Sequence, residues 1–310
     1  MKEYFIPGSN PGRSETTPML LFKHWTKQII RSFFDRQGFL EIDSPILIEN
    51  FTEEFITPIT TSTNMELRTS PELHLKNAIT LGYNKIYELG HVFRQETKED
   101  NLHSNEFSML EWYRSNSTLD QLIKDCEMLF SKLAPSLFYN KFEKETLNNL
   151  WKKFTPINLE AALERNDLPK QAFQNGFTHT PSEKFHDVFS LIMSTIIEPQ
   201  IGIITPCVVT DWPYQLSAFS KTTSLNPLWC SRFEIYYNGI ELANAFSELY
   251  DPIEQEKRLF FSQKRQQYHK IPNPILLKYL PSIKSTAGIS IGIDRLLMII
   301  AGKPNIQNCK

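Results

Sequence analysis

Strand-like alternation early and late in the chain, with helical periodicity between, predicts an α+β fold: a mixed, largely antiparallel sheet with helices packed on it. Three observations carry this. NKIYELGHVFRQE and NEFSMLEWYR alternate on either side of a charged loop. RFEIYYNGIELANAFSEL, residues 232–249, alternates around Asn238-Gly239, the strongest short hairpin signal. From Thr118 to about residue 200 the apolar residues recur instead at helical spacing.

The first helix is expected from Thr17-Pro18 onward. Leu21, Phe22, Trp25, Ile29, Ile30, Phe33 and Phe34 make its stripe, and Gly38 stops it. FLEIDSPIL reads as a strand that Pro45 restricts to an edge or interface. On this stretch alone a plain edge strand is the favoured reading, with an oligomer contact as the alternative. SPELHLKNAITLG reads as a helix with Ser70 as N-cap, Pro71 at the first helical position and Gly82 at the end. Thr118 caps the next helix, with Gln121 as its capping-box partner. Two or three more helices are expected over 140–200, a buried strand at IITPCVVTDWP, and a charged helix over 251–270. A glycine-punctuated strand then runs into an apolar helix over 287–300.

The 310 residues suffice for one large domain or two small ones, and 41% hydrophobic content can bury a sizeable core. Lys plus Arg is 33 and Asp plus Glu is 35, so the net charge is −2. That argues against a broad nucleic-acid footprint and leaves a local basic patch open. Cys126, Cys207, Cys230 and Cys309 have no Cys-x-x-Cys spacing, which suits reduced thiols in the cytoplasm rather than a metal cluster or disulfide framework. No signal-peptide stretch or membrane span is legible. Residues 1–16 read as a loose arm.

Three segments carry chemistry. In the first, Arg94 and Glu96 share one strand face, while Phe107, Met109, Glu111 and Tyr113 share a face of the returning strand. A guanidinium suits phosphate oxygens, a ring suits a nucleobase, and a carboxylate accepts from an exocyclic amine. The same pattern also serves a solvated hairpin with cross-strand ion pairs. In the second, a two-residue turn at Asn238-Gly239 pairs Tyr236 with Glu241, so Glu234 and Glu241 project together. Two such carboxylates repel unless a cation lies between them, and hard oxygens suit Mg²⁺. Two glutamates on a wet sheet face remain the alternative. Glu248 needs a bend to join them. In the third, Gly288 and Gly292 allow close backbone approach, and Arg295 opens a helix whose dipole disfavours a cation unless an anion or carboxylate is near.

Together these segments resemble the catalytic domain of class II aminoacyl-tRNA synthetases. FRQE…EFSMLEWYR and GISIGIDRLLM look like motifs 2 and 3 of that superfamily, and FLEIDSPIL looks like motif 1, which builds its dimer interface. TSPELHLK, EFSMLEWYR and GIELANAFSEL resemble the lysine branch, and within it the short relatives that ligate (R)-β-lysine onto elongation factor P. The resemblance implies a catalytic domain over 17–310, a homodimer, ATP and Mg²⁺, and lysine or (R)-β-lysine as substrate. Bacterial-type lysyl-tRNA synthetases carry an N-terminal anticodon-binding OB-fold. Only the short arm precedes the first helix here, so a protein acceptor, elongation factor P, is expected over tRNA.

The resemblance also assigns roles. Arg94 and Arg295 are the catalytic residues, Arg94 on the α-phosphate. Glu96 meets the adenine amine, Phe107 and Arg295 sandwich the adenine, and His103 approaches the outer phosphates. Glu241, Leu242 and Gly292 complete the nucleotide site, and Glu234 and Glu241 hold the metal. Ser70, Glu72, Tyr113, Asn244 and Glu248 form the amino-acid pocket. There are departures: Ser104-Asn105 where the family has Asn-Pro, Ala245 where it has glycine, and Ser290 where these ligases tend to have alanine and lysyl-tRNA synthetases glycine. Two other readings stay open. One is a stand-alone module that aminoacylates tRNA or a small acceptor; the other is a non-catalytic ATP- or amino-acid-binding paralogue.

Overall fold

A computed structural model describes residues 19–49, 56–95, 100–266, 277–278 and 280–309. The expected arm, the expected adenine contact Glu96 and the end of the charged helix lie outside these residues. The chain divides into two compact units, Met1–Tyr139 with Glu248–Lys310, and Asn140–Ser247. No helix among the described residues is long and apolar enough to cross a membrane.

The first unit opens with helix α1 (Met19–Arg36), which buries Phe22, Thr26, Ile30, Phe33 and Phe34. Gly38, at φ 72°, closes it as expected. Trp25 and Leu21, counted in the stripe, stay exposed at 37% and 49%. Phe34 centres the packing: it stacks on Tyr87 at 4.5 Å and meets Phe39 and Trp112 edge-on. Truncating so well-packed a ring to alanine costs about 3–5 kcal/mol.

The expected strand FLEIDSPIL is two short strands, β1 (Leu40–Glu41) and β2 (Leu47–Ile48), with Pro45 between them. Proline offers no N–H to a ladder, so pairing stops there. β2 joins β3 (Ile59–Thr60) and β4 (Glu66–Leu67) in a small antiparallel sheet ordered β2-β4-β3. Helix α2 (Glu72–Thr80) follows, one residue later than expected at its start. Pro71 takes the N-cap position, while the Ser70 hydroxyl accepts from the Glu72 N–H at 2.9 Å and turns its own proton elsewhere.

Strands β5 (Lys85–Phe93) and β6 (Glu106–Arg114) form the expected antiparallel hairpin, in register from Lys85↔Arg114 to Phe93↔Glu106. Helix α3 (Leu119–Leu133) begins at Thr118, whose side chain accepts from the Gln121 N–H. The Gln121 side chain does not return to the cap; it donates to Asp125 at 3.2 Å. Asp125 is fully buried and also accepts from Arg114 at 2.6 and 2.9 Å and from Trp112 at 3.3 Å. After helix α8 (Pro252–Gln266), strand β11 (Ala287–Gly292) pairs antiparallel with β6 and runs into helix α9 (Ile293–Ile300). The strand order in this unit is β1-β5-β6-β11, with β1 parallel at the edge. Helices α2, α3 and α9 pack on the sheet, α2 against β5 and β6, α3 against β11, and α9 against β6 and β11.

The second unit has strands β7 (Glu143–Thr146), β8 (Cys207–Pro213), β9 (Trp229–Tyr237) and β10 (Ile240–Ser247), ordered β10-β9-β8-β7. β7 is parallel to β8 and the remaining pairs are antiparallel. Each unit is therefore mixed and mostly antiparallel, as the patterning predicts. Helices α4 (Leu147–Phe154), α5 (Leu159–Arg165), α6 (Leu168–Gln174) and α7 (Phe185–Ile192) fill the stretch where two or three were expected. Their core gathers Trp151, Phe189, Trp212 and Tyr236. At the β9–β10 turn Asn238 and Gly239 have φ 50° and 72°, the left-handed pair a two-residue hairpin needs. The register is Tyr237↔Ile240 and Tyr236↔Glu241, as expected. It then slips by one residue between Glu241 and Ala243, so Asn244 lies opposite Glu234.

Candidate active site

In the first unit, α2, β6 and the residue that follows β10 converge on a buried acidic cluster. Glu72 is 7% exposed, Glu111 2% and Glu248 1%. Lys76, one helical turn beyond Glu72, is also buried; its Nζ lies 2.5 Å from Glu72 Oε1 and 2.7 Å from Glu248 Oε2. Glu111 accepts the Tyr113 hydroxyl at 2.7 Å on Oε1 and the Ser70 hydroxyl at 2.8 Å on Oε2. That second bond is where the Ser70 proton goes, and it explains why Ser70 does not cap α2 in the simple way. Glu248 Oε1 is buried with no hydrogen-bond partner among the described residues.

The glycine opposite completes the cradle. Gly288 pairs with Tyr113 across β6–β11, and a methyl group there would strike the Tyr113 ring and come within 2.8 Å of Glu248 Oε1. Ser290 pairs with Glu111 in the same register, so this departure from the family pattern sits beside the acidic cluster. Burial pushes the Glu248 carboxyl up to about 7, against the pull of Lys76 and with the push of Glu72. Burial and the carboxylates Glu111, Glu72 and Glu248 push the Tyr113 hydroxyl well up, so it stays a proton donor.

The same unit holds a second group at the loop end of the β5–β6 hairpin. The Arg94 guanidinium lies over the Phe107 ring at 5.2 Å and donates to the Thr69 carbonyl at 3.3 Å. Arg295, in the first turn of α9, donates to the Leu102 carbonyl at 3.3 Å and meets His103 Nε2 at 3.0 Å. His103 Nδ1 lies 2.6 Å from Asp100 Oδ2. Asp100 accepts from the Nδ1 N–H, which leaves Nε2 to accept from the guanidinium. The unfavourable helix-start position of Arg295 is thus offset by a carbonyl and an imidazole. Its neighbour Gly292 is the N-cap of α9. Arg94, His103 and Phe107 of the hairpin, with Arg295 of α9 held against its loop, suit a polyanion bearing a planar base.

In the second unit Glu234 is buried, and its carboxylate accepts from Arg232 at 2.5 Å and from the Tyr236 hydroxyl at 2.5 Å. Arg232 also donates to Asn244 Oδ1 at 3.1 Å and to the Leu216 carbonyl. Burial and the neighbouring Glu241 push the Glu234 carboxyl up to about 8, against Arg232 and the Tyr236 hydroxyl. The expected pairing of Glu234 with Glu241 is therefore present as mutual repulsion. Such a pair fits a divalent cation, which removes the repulsion. No group of three or more His, Cys, Asp or Glu suited to a metal lies among the described residues, so further ligands would come from phosphate and water. Leu242, next to Glu241 at the bulge, is buried.

Lys76 as a pocket member escapes a reading of the sequence, and Glu111 is left there on a strand face without a role. A lysine four residues after a glutamate on a helix reads as a solvated pair. Only tertiary burial distinguishes this one. Arg232 and Asp100 are not singled out in the sequence either, since their partners Glu234 and His103 are fixed only by the folded geometry.

A model of the class II tRNA synthetases (D, K and N) matches residues 12–310. The chain belongs to this class II tRNA synthetase family. Among similar curated proteins is one from Haemophilus ducreyi, 31% identical over 293 residues, with 90% of this chain and 88% of that protein covered. Another, from Haemophilus influenzae, is 32% identical over 290 residues, covering 87% of each chain. A third, from Histophilus somni, is 33% identical over 294 residues, covering 90% of this chain and 89% of the relative. All three bear the name elongation factor P–(R)-β-lysine ligase.

Proposed function

We propose that this protein is an ATP-dependent ligase that activates (R)-β-lysine, or lysine, as an aminoacyl-adenylate and transfers it to a lysine side chain of elongation factor P. The observation that carries the substrate class is the buried cluster of Glu72, Glu111 and Glu248, with Glu248 Oε1 unpartnered. A buried carboxylate oxygen without a hydrogen-bond partner is costly, and an ammonium group entering beside Gly288 removes that cost. The names of the relatives supply the acceptor.

Two bond exchanges make up the reaction. A carboxylate oxygen of the amino acid attacks the α-phosphorus of ATP, the bond to pyrophosphate breaks, and the aminoacyl-adenylate remains. The acceptor's lysine amine then attacks the acyl carbon, loses a proton, and AMP leaves. Arg94 would hold the α-phosphate and stabilise the charge that develops on it. Phe107 and Arg295 would flank the adenine, Leu242 and Gly292 would line the nucleotide, and His103 would approach the outer phosphates. Ser70, Glu72, Tyr113, Asn244 and Glu248 would hold the amino acid. Glu234 and Glu241 would hold Mg²⁺, whose chemistry there is to neutralise phosphate charge. Catalysis is positioning and electrostatics, with no enzyme nucleophile.

The partners in this reading are elongation factor P and a second copy of the chain. Leu40, Ile46 and Leu47, on and beside β1 and β2, are 47%, 43% and 46% exposed, which suits an edge that meets another protomer. A net charge of −2 suits a protein acceptor better than tRNA. The cytoplasm is where the acceptor and ATP meet. The test is ATP–pyrophosphate exchange with and without each lysine isomer. Lysine-dependent exchange supports the adenylation step, and exchange with no amino-acid dependence overturns it.

A further inference from the structure

Lys76 is the only buried lysine among the described residues, at 1% exposure. Its Nζ bridges Glu72 at 2.5 Å and Glu248 at 2.7 Å. These are the same carboxylates that the proposed function gives to the substrate's ammonium groups. A pocket built to take cations has least reason to contain one of its own, and that contradiction asks for an explanation.

The geometry supplies it. Lys76 Nζ reaches both Glu72 and Glu248 and offsets the repulsion between the two buried carboxylates. Without Lys76 two buried carboxylates would face each other, and one would take up a proton instead of staying available to a ligand. Glu248 Oε1 has no hydrogen-bond partner among the described residues and borders the gap that Gly288 leaves. We propose that Lys76 is a positioning residue of the amino-acid pocket, bridging Glu72 and Glu248 so that the two carboxylates are held side by side to receive a substrate ammonium group. This inference rests on the reading that the pocket binds a lysine-type substrate.

The groups facing Glu248 are Lys76 and Glu72 from α2 and Tyr113 from β6, with Glu111 beyond that hydroxyl; Gly288 on β11 brings no charge. Burial alone would depress the Lys76 ammonium, but Glu248 and Glu72 outweigh burial and push it up, so it stays cationic. Glu248 is the group that titrates, at about 7. Removing Lys76 raises it further.

The experiment compares wild type with Lys76→Met from pH 6 to 9, by amino-acid-dependent pyrophosphate exchange and by thermal unfolding. At pH 7 the variant's KM for the amino acid should rise about 100-fold, the size expected for truncating one partner of a buried charge pair. Its KM for ATP should stay within about twofold, and the amino-acid penalty should shrink toward pH 9 as Glu248 ionises. A carboxylate with a raised folded-state pKa binds more protons when folded, so its contribution to stability falls as pH rises to that pKa. In wild type the fall ends near 7; in the variant it continues. The gap in unfolding temperature should therefore be constant below pH 7 and widen above it. A gap equal at every pH, an unshifted pH profile of the amino-acid KM, or a variant that does not fold even at pH 6 would assign Lys76 a packing role and overturn the inference. Absence of lysine-dependent exchange in wild type would defeat the proposed function instead, and the thermal comparison would still decide the role of Lys76.

Discussion

Arg295 and His103 meet at 3.0 Å, the guanidinium donating to the imidazole whose other nitrogen is held by Asp100. The pair joins α9 to the loop between β5 and β6, the two segments that the family resemblance assigns to the nucleotide. His103→Ala should therefore raise the KM for ATP about tenfold, the value of one hydrogen bond to a charged group, and leave the KM for the amino acid unchanged. Initial-rate exchange at varied ATP measures this. An unchanged KM for ATP removes His103 from the nucleotide site.

Gly288 faces Tyr113 across the β6–β11 ladder with no room for a side chain. Gly288→Ala should fill the gap beside Glu248, raising the amino-acid KM by at least about 100-fold, with small effect on ATP affinity. Calorimetric titration with a lysyl-adenylate analogue and with ATP separates the two. Equal losses for both would indicate a general distortion of the strand.

The Glu248 carboxyl, pushed up to about 7 by burial, gives the pocket a pH dependence. A cationic substrate needs it ionised. Below pH 7 the amino-acid KM should rise about tenfold per unit, and above pH 7 it should level off. A flat profile between pH 5.5 and 8 would place the titrating group elsewhere.

Asp125 holds Arg114, Trp112 and Gln121 at once in the core of the first unit. Asp125→Ala leaves the buried Arg114 guanidinium without its carboxylate, with only the neutral Gln37 amide among the described residues still accepting from it, and should cost about 3–5 kcal/mol. Urea unfolding at pH 7 reads this directly. A loss below about 1 kcal/mol would mean that water reaches the arginine.

The hairpins are legible in the sequence because alternation and Asn238-Gly239 encode them locally. That turn alone places Glu234 and Glu241 on one face, and the register agrees. The bulge is not foreseen in place, although Leu242 and Ala243, adjacent and both buried, mark it. β7 escapes because Glu143–Thr146 is charged and lies at a sheet edge, where burial leaves no alternation to read. The continuous strand expected over residues 39–47 is two short ones because the proline acts as a break and not merely as a restriction. In the acidic pocket, Glu72 and Glu248 follow from resemblance, whereas Lys76 becomes visible only through burial, which depends on residues distant in sequence.

The most direct test of the central claim is the intact mass of elongation factor P after incubation with this protein, ATP, Mg²⁺ and either (R)-β-lysine or α-lysine. The account predicts a gain of one lysyl unit on the acceptor, dependent on ATP and lost in Arg94→Ala. Adenylate formation with no mass gain from either isomer would contradict it and leave a different acceptor for the activated amino acid.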